Sequence, residues 1–483
     1  MTDAHANGDE QRRLVLTAHP LQRIGAYALA ALSEEPNPHG PGAVPPQDLT
    51  PAGFTAAVDR MTDHAVRAAL VRDSKGPNGF WLKASYSFFP NAPMNHPLNS
   101  KKSDQALREA VRSWRARPDV ATWPEAPCVL CGRQAVGYFG KLDVALAESE
   151  AYRNTTPRGH AGMALCHPCR ASFHALPYGV LLTGGPSIAV HSWDEGFLRR
   201  VVSRQVDRNV VLAETGDPGR HQTEVREVVA LRALRRYGER VTAGVELLVF
   251  NNNNRSQSLE QYALDQPLAE WLRSTSREPT RRVGFRDLLR AHATKSEPGV
   301  VGLARNAFRA PERILGASLA HLWVLVNDVA ADPRRVADLV ELLHSFVTEV
   351  MLMDEKDKAE IQATAAKVAA LLYPETSPGK LRQLRMYTKS PVRLRDWLTN
   401  RALQWAVERP DGAEGPLMSE RVFTLLFDPG RDNPGWFHRN LLLVGVLAEL
   451  SRLGWRPEEG MAEDAINEMD EQLLTEDEEE DTQ

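Results

Sequence analysis

All four cysteines of this 483-residue chain lie in two Cys-x-x-Cys pairs, Cys128-Val129-Leu130-Cys131 and Cys166-His167-Pro168-Cys169. Four thiolates suit one tetrahedral Zn²⁺ at Zn–S distances of about 2.3 Å, and a closed Cys₄ site holds a fold rather than activating water. In a reducing compartment such thiols bind metal in preference to forming disulfides. The alternatives are a lost metal or thiol pairs that never bind one. Between Cys131 and Cys166 lie 34 residues, a longer insert than the common zinc ribbon has, so Gly132 to Leu165 is expected to form its own loop or hairpin over the metal. Gly132 and Pro168 suit tight turns. His160, His167 and His174 are expected beside the site, as surface groups or neighbours of the ligands.

One class of HNH-type nuclease also places histidines beside two such knuckles, where a general base and a second metal activate water. The insert offers Asp143, Asn154 and His160. It has no adjacent Asp-His pair and no second histidine, which speaks against that chemistry. No nucleophile–base pair, carboxylate dyad or phosphate-binding glycine loop stands out elsewhere. Gly184-Gly185-Pro186 reads as a turn.

A second set of residues points to nucleic acid. The formal net charge is −5, but the stretch from Glu458 to the end holds 13 acidic residues and no Lys or Arg, which leaves +8 on the rest. A basic body with an acidic tail suits a nucleic-acid-associated protein, and equally an ordinary protein with a solubilising tail. Arg232, Arg235 and Arg236 share one helical face. Lys380, Arg382, Arg385, Lys389, Arg393 and Arg395 come close together. Arginine forms bidentate phosphate contacts, whereas the bland reading is a solvated helix face. Asn251-Asn252-Asn253-Asn254-Arg255 follows the apolar run Val245 to Phe250. Amides at a strand exit can meet base edges or phosphates, or simply form a turn. Lys101 and Lys102 are a further phosphate candidate.

The elements that must position these residues can be read coarsely. Leu14 to Glu34 reads as a strand or turn followed by a helix, Ala52 to Val71 and Asp104 to Arg115 as helices, and Trp81 to Phe89 as strand-like, broken by Pro90, Pro93 and Pro97. Val180 to Thr183 and Gly244 to Phe250 read as strands. From Pro311 the chain turns helical. Asp332-Pro333 is a helix start, and Val336, Leu339, Val340, Leu343, Phe346, Val347 and Val350 form an apolar stripe behind it. Ser390-Pro391 starts another helix, and Asn440 to Leu453 forms a third, closed by Gly454. Short turns between helices make a bundle. No run approaches the ~18–20 apolar residues of a membrane span, since Ile314 to Ala330 is broken by His321, Asn327 and Asp328. With no signal-peptide pattern at Met1 to His5, the chain reads as cytoplasmic with no membrane partner.

The fold class is therefore α+β and multidomain: a zinc-stabilised N-terminal α/β region followed by a C-terminal helical bundle. The expected divisions are an N-terminal α+β region (1–122), a zinc-binding module (123–180), an arginine-rich α/β region (181–305), the bundle (306–457) and an acidic disordered tail (458–483).

Three segments carry a resemblance. They are Thr17-Ala18-His19-Pro20-Leu21 leading to Ile24-Gly25, Phe88-Phe89-Pro90-Asn91, and Asn154 to Gly162 running through the second knuckle into Ala175-Leu176-Pro177-Tyr178-Gly179. Together they resemble the large subunit of type I-B CRISPR interference complexes (Cascade), in the subgroup with two Cys-x-x-Cys knuckles, mainly over residues 14–180. The resemblance implies a non-enzymatic subunit. It would read the protospacer-adjacent motif in target double-stranded DNA, help open it and recruit the helicase-nuclease. Its partners would be guide RNA and the backbone, 5′-handle-binding and small subunits. It also implies a bundle resembling the small subunit, for which Met351 or Met353 would be an internal translation start. The alternatives are a zinc-containing HNH-like nuclease and a stand-alone zinc-stabilised DNA-binding protein.

Overall fold

The computed structural model describes residues 11–38, 42–147, 162–217, 225–252, 257–375, 377–408, 415–428 and 435–457. His160 and the rest of 154–161, Asn253, Asn254, Arg255 and the acidic tail lie outside the described residues. The protein is a mostly helical α+β structure with small sheets. It divides into two compact units, residues 1–233 with 237–266, and residues 234–236 with 267–483. The division near 266 falls inside the stretch 181–305 that sequence patterning groups together.

The first unit is built on two helices, α1 (Pro20–Leu32) and α5 (His167–Gly179), packed closely together. Helix α1 is apolar nearly all round, as a helix enclosed by its own core must be. It starts where His19 Nδ1 accepts from the Gln22 N–H and Pro20 fits the first turn. Gly25 fixes the spacing, because a Cβ there would stand 1.8 Å from the Ser172 carbonyl oxygen. Around this pair lie α2 (Pro51–Val71), capped by the Thr50 hydroxyl, α3 (Phe80–Ser85) and α4 (Asp104–Arg115), capped by Ser103. The expected strand at Trp81 to Phe89 is instead α3 followed by turns. Phe88 and Phe89, adjacent in sequence, are both buried, so the segment lacks the two-faced alternation of a strand.

A short antiparallel ribbon, β1 (Gly137–Phe139) with β2 (Met163–Leu165), precedes α5. After α5 come β3 (Ser187–Ser192), α6 (Glu195–Thr215), α7 (Arg226–Arg236), β4 (Val245–Asn252) and β5 (Gln257–Leu264). The sheet is antiparallel in the order β3-β4-β5, and central β4 is buried along most of its length. Val180 to Thr183 does not form the expected strand; Leu181 makes a single bridge to Ile188.

The second unit is helical: α8 (Gln266–Thr275), α9 (Pro279–Ala291), α10 (Gly299–Arg309), α11 (Glu312–Asn327), α12 (Pro333–Glu349), α13 (Glu355–Leu372), α14 (Gly379–Thr388), α15 (Pro391–Glu408), α16 (Glu420–Phe427) and α17 (Gly435–Arg452). The Asp332 carboxylate accepts from the Arg334 N–H at 2.9 Å, and the apolar stripe of α12 from Val336 to Val347 is buried. Helix α17 begins at Gly435 rather than Asn440, and Gly454 follows it in the left-handed region at φ 78°. Helices α11, α12 and α13 all pack on α17. Among the described residues no helix is long and apolar enough to cross a membrane.

Candidate functional site

Local structure explains how the two knuckles meet. In the first, the Gly132 N–H donates to the Cys128 carbonyl at 2.8 Å and the Cys128 N–H to the Arg133 carbonyl at 2.6 Å. Gly132 supplies the left-handed conformation this turn needs, at φ 76°. The second knuckle is the start of a helix: Cys166 is the N-cap of α5, Pro168 fits its first turn and Cys169 lies one turn along. A helix N-terminus favours thiolate over thiol. The β1–β2 ribbon, with Gly137 opposite Leu165, brings the two knuckles together, and the Val129 N–H donates to the Ala164 carbonyl at 2.9 Å.

The result is a four-sulfur cluster. All four Sγ atoms lie within 4.8 Å of one another; Cys128, Cys166 and Cys169 are buried and Cys131 half-buried. Cys131 Sγ and Cys166 Sγ are 3.5 Å apart, well beyond a disulfide bond of about 2.05 Å. Tetrahedral ligands at a Zn–S distance of about 2.3 Å would be about 3.8 Å apart, so this donor set is consistent with a structural zinc. Hydrogen bonds from Cys131, Cys166 and Cys169 hold the Cys128 thiol far below its ordinary range. Hydrogen bonding with Cys128 and Cys131 pushes Cys166 and Cys169 up. Four sulfurs this close cannot all carry charge by themselves; a divalent cation is what lets them.

Behind the clamp lies a node that joins two residues the sequence offers separately, Asp143 and His174. Asp143, in the insert, sends one oxygen, Oδ1, to the Arg170 Nε at 3.0 Å, the His174 Nε2 at 2.9 Å and the Trp114 Nε1 at 3.0 Å. Burial raises the Asp143 pKa, but the hydrogen bonds and charges of His174 and Arg170 outweigh it and hold it at about 2. Burial holds His174 well below its ordinary value. The insert is thus tied to α4 and α5 by a buried carboxylate. The pair Asp143–His174 is invisible in sequence because 31 positions separate them. His167 is buried, with its N–H received by the Gln11 side chain at 3.1 Å.

The segments that carry the resemblance are core-building. Gln22, buried between α1 and α5, donates to the Val15 carbonyl at 2.8 Å and to Ser172 Oγ at 3.3 Å. Pro177 interrupts the end of α5, and the Asn209 amide donates to the carbonyls of Pro177, Tyr178 and Val180 at 2.9, 3.0 and 2.8 Å. The Tyr178 hydroxyl meets His64 Nδ1 at 3.0 Å.

The nucleic-acid candidates fall in separate places. Asn252 is fully buried. Its amide donates to the Phe88 carbonyl at 2.7 Å and the Lys141 carbonyl at 3.3 Å, and its Oδ1 accepts from Gln257 at 2.7 Å. It fastens β4 and is not presented to a ligand; Asn251, half-buried, is the remaining described member of the run. Lys101 is exposed at the end of the 3₁₀ turn Pro97–Lys101, and Lys102 beside it is half-buried. Arg232, Arg235 and Arg236 are exposed on α7. Arg235 also stacks on Phe285 at 5.1 Å. Helices α14 and α15 of the second unit pack together and collect the rest. Arg382 and Arg385 are half-buried, Arg385 stacked over Trp323 at 4.9 Å, and Lys389 and Arg393 are exposed. No protein-family model and no curated protein matches this chain.

Proposed function

We propose that the chain is the non-enzymatic large subunit of a type I-B RNA-guided CRISPR interference complex, acting in recognition of target duplex DNA, strand opening and recruitment of the helicase-nuclease. The observation that carries the reading is a convergence. Two of the segments of resemblance, far apart in sequence, pack on one helix, α5, which forms the described end of the third and whose first turn holds the second knuckle. His19 meets Phe173 ring to ring at 5.3 Å, Phe89 meets His174 at 5.7 Å, and Tyr178 lies in α5 itself. A zinc held by Cys128, Cys131, Cys166 and Cys169 would fasten this module and supply no chemistry of its own.

The buried Asp143–His174 pair does not support the nuclease alternative, because both groups are used inside the core and neither faces water. Nucleic acid would be met by Lys101, Lys102, Asn251 and Arg232 in the first unit, and by Arg235, Arg236 and the basic faces of α14 and α15 in the second. An internal start at Met351 or Met353 would give a product without α8 to α12, uncovering the face of α17 on which α11 and α12 pack.

The test is purification of the tagged chain expressed together with its neighbouring genes. Recovery with a short guide RNA and several partner proteins is expected. An RNA-free monomer, or Mg²⁺-dependent DNA cutting by the isolated chain, would overturn the reading.

A further inference from the structure

Helix α15 of the second unit has apolar groups on both sides. Leu394, Trp397, Leu398 and Trp405 are buried. On the opposite side Val392, Leu403 and Val407 share one face at helical spacing. Leu403 and Val407 are 65% and 85% exposed among the described residues. Thr399 and Ala406, also exposed, lie between them on the same strip. Exposed apolar groups aligned along one helix face, rather than scattered singly, mark a surface that takes a partner. Arg393 and Arg395 flank the strip and are exposed, and its one carboxylate, Asp396, lies 3.7 Å from Arg395. From Lys380 to Arg401 the chain carries seven Lys or Arg and only that one acid. The matching partner is a helical face with a narrow apolar stripe edged by carboxylates.

This chain contains such a segment. From Glu458 to Gln483 there are 13 acidic residues and no Lys or Arg. Within it Ala462, Ile466, Met469 and Leu473 recur at i, i+4, i+7 and i+11, the spacing of one helical face. Glu463, Asp464, Glu468, Asp470 and Glu471 fall on the other sides of that pattern. A segment serving only solubility has no need of the stripe.

The described chain ends near the strip. Trp455 is buried, and its Nε1 donates to the Glu375 carbonyl at 2.7 Å, a few residues ahead of α14. Glu375 pairs in turn with Lys380 in the first turn of α14. Helix α17 packs on α14, and α14 packs on α15. The length of α14 is about 15 Å, and five extended residues, 458 to 462, cover about 17 Å. As a helix, Ala462 to Leu473 would be about 17 Å long, against about 22 Å from Val392 to Val407. A tether this short holds the segment at millimolar effective concentration, so that even a weak contact is occupied.

We propose that the outer strip of α15 is the docking site of the chain's own segment 458–483, with Ala462, Ile466, Met469 and Leu473 against Val392, Leu403 and Val407, and the carboxylates beside Arg393 and Arg395. The docked segment covers the basic face of α14 and α15 with negative charge. On the reading that this face meets nucleic acid, the segment is a built-in competitor for phosphate, and DNA binds the unit only by displacing it.

The test uses the full chain. Backbone hydrogen exchange within 458–483 should be about tenfold slower than in the same peptide free in solution, the slowing of a segment docked about nine-tenths of the time. Leu403→Ser combined with Val407→Ser removes the strip without changing charge, at positions too exposed to disturb the fold. It should return the exchange to the free-peptide rate. Free-peptide rates in the unaltered chain, or protection that survives the double variant, would overturn the docking. The same variant should bind random-sequence duplex DNA about tenfold more tightly, because the face is then open all of the time rather than one-tenth of it. Lost protection with unchanged DNA binding would uphold the docking and overturn instead the assignment of this face to nucleic acid.

Discussion

Two buried carboxylates, one in each unit, separate how the units are held. Asp143 and Asp287 both stand at about 2, each lifted by burial and pulled down further by its partners. Asp143 is bound by Arg170, whose side chain is 5% exposed, and by equally buried His174. Asp287 is bound by Arg335, Arg290 and His321, side chains that are 33%, 58% and 17% exposed. The first unit thus pairs its buried charges inside its core, next to a clamp of four sulfurs. The second holds its buried Asp287 with partners that reach the surface and relies on apolar helix faces such as Val336 to Val347. A unit of the first kind fails when one polar partner is removed, whereas one of the second kind fails when its core is hollowed out.

The sharpest way to break this contrast is to remove one cysteine of the four-sulfur cluster. Cys166→Ser, or chelation, should abolish the zinc proposed for this cluster and unfold the first unit, since structural zinc sites are worth about 10–16 kcal/mol in small modules. The second unit should keep its helices. Metal analysis with hydrogen exchange on peptides from 267–457 measures both. Full protection of residues 128–179 without metal would contradict a structural site.

The paired carboxylates give the next largest effect. Asp143→Ala leaves the Arg170 charge buried and unpaired and should cost about 3–5 kcal/mol. Asp287→Ala leaves partners that can turn to water and should cost about 1–2 kcal/mol. Denaturant titration of each variant compares them; equal losses would mean that partner exposure does not set the cost.

The parts of this architecture readable in sequence are those written locally. Asp332-Pro333, the stripe behind it and the Gly454 cap are signals within a few residues of what they cause. The cysteine pairs declare a four-sulfur cluster by type and spacing alone. What stayed hidden depends on residues far apart. Trp81 to Phe89 has strand-like composition, but Phe88 packs edge-on to Phe250 at 5.6 Å and the backbone turns to allow it. Asn252 looks like part of a polar exit loop until Phe88 and Lys141 supply carbonyls for its amide.

Acid should test both units more gently. Burial, with help from Arg60 and Arg67, lowers His64 from 6.5 to about 4. Burial, with help from Lys358, lowers half-buried His344 of the second unit to about 4 as well. A histidine kept neutral in the fold binds its proton more readily when unfolded. Its contribution is therefore full above pH 6.5 and is lost as pH falls towards 4. For buried His64 the loss is about 3 kcal/mol. Replacing His64 by Gln should flatten the fall of the first unit's midpoint over that window and leave the second unit's unchanged. An unaltered profile would remove His64 as the cause.

The smallest effect separates the two kinds of nucleic-acid contact in the proposed function. Arg393, exposed on α15, would meet phosphate, which carries no sequence information. Arg393→Gln should weaken binding to every DNA sequence alike and reduce the salt slope by about 1 for a duplex contact, or about 0.7 for a single strand. Asn251, at the end of β4, would act nearer the bases. Asn251→Ala should leave the salt slope unchanged and weaken motif-bearing duplex more than a pre-opened target. Filter binding of the assembled complex from 50 to 200 mM salt, about the range over which such contacts titrate, measures both variants. If Arg393→Gln leaves the slope intact, the basic face of α15 is solvated surface. If Asn251→Ala weakens both targets equally, the strand end does not read the motif. Either outcome moves the DNA-reading work away from that unit and keeps the other in play.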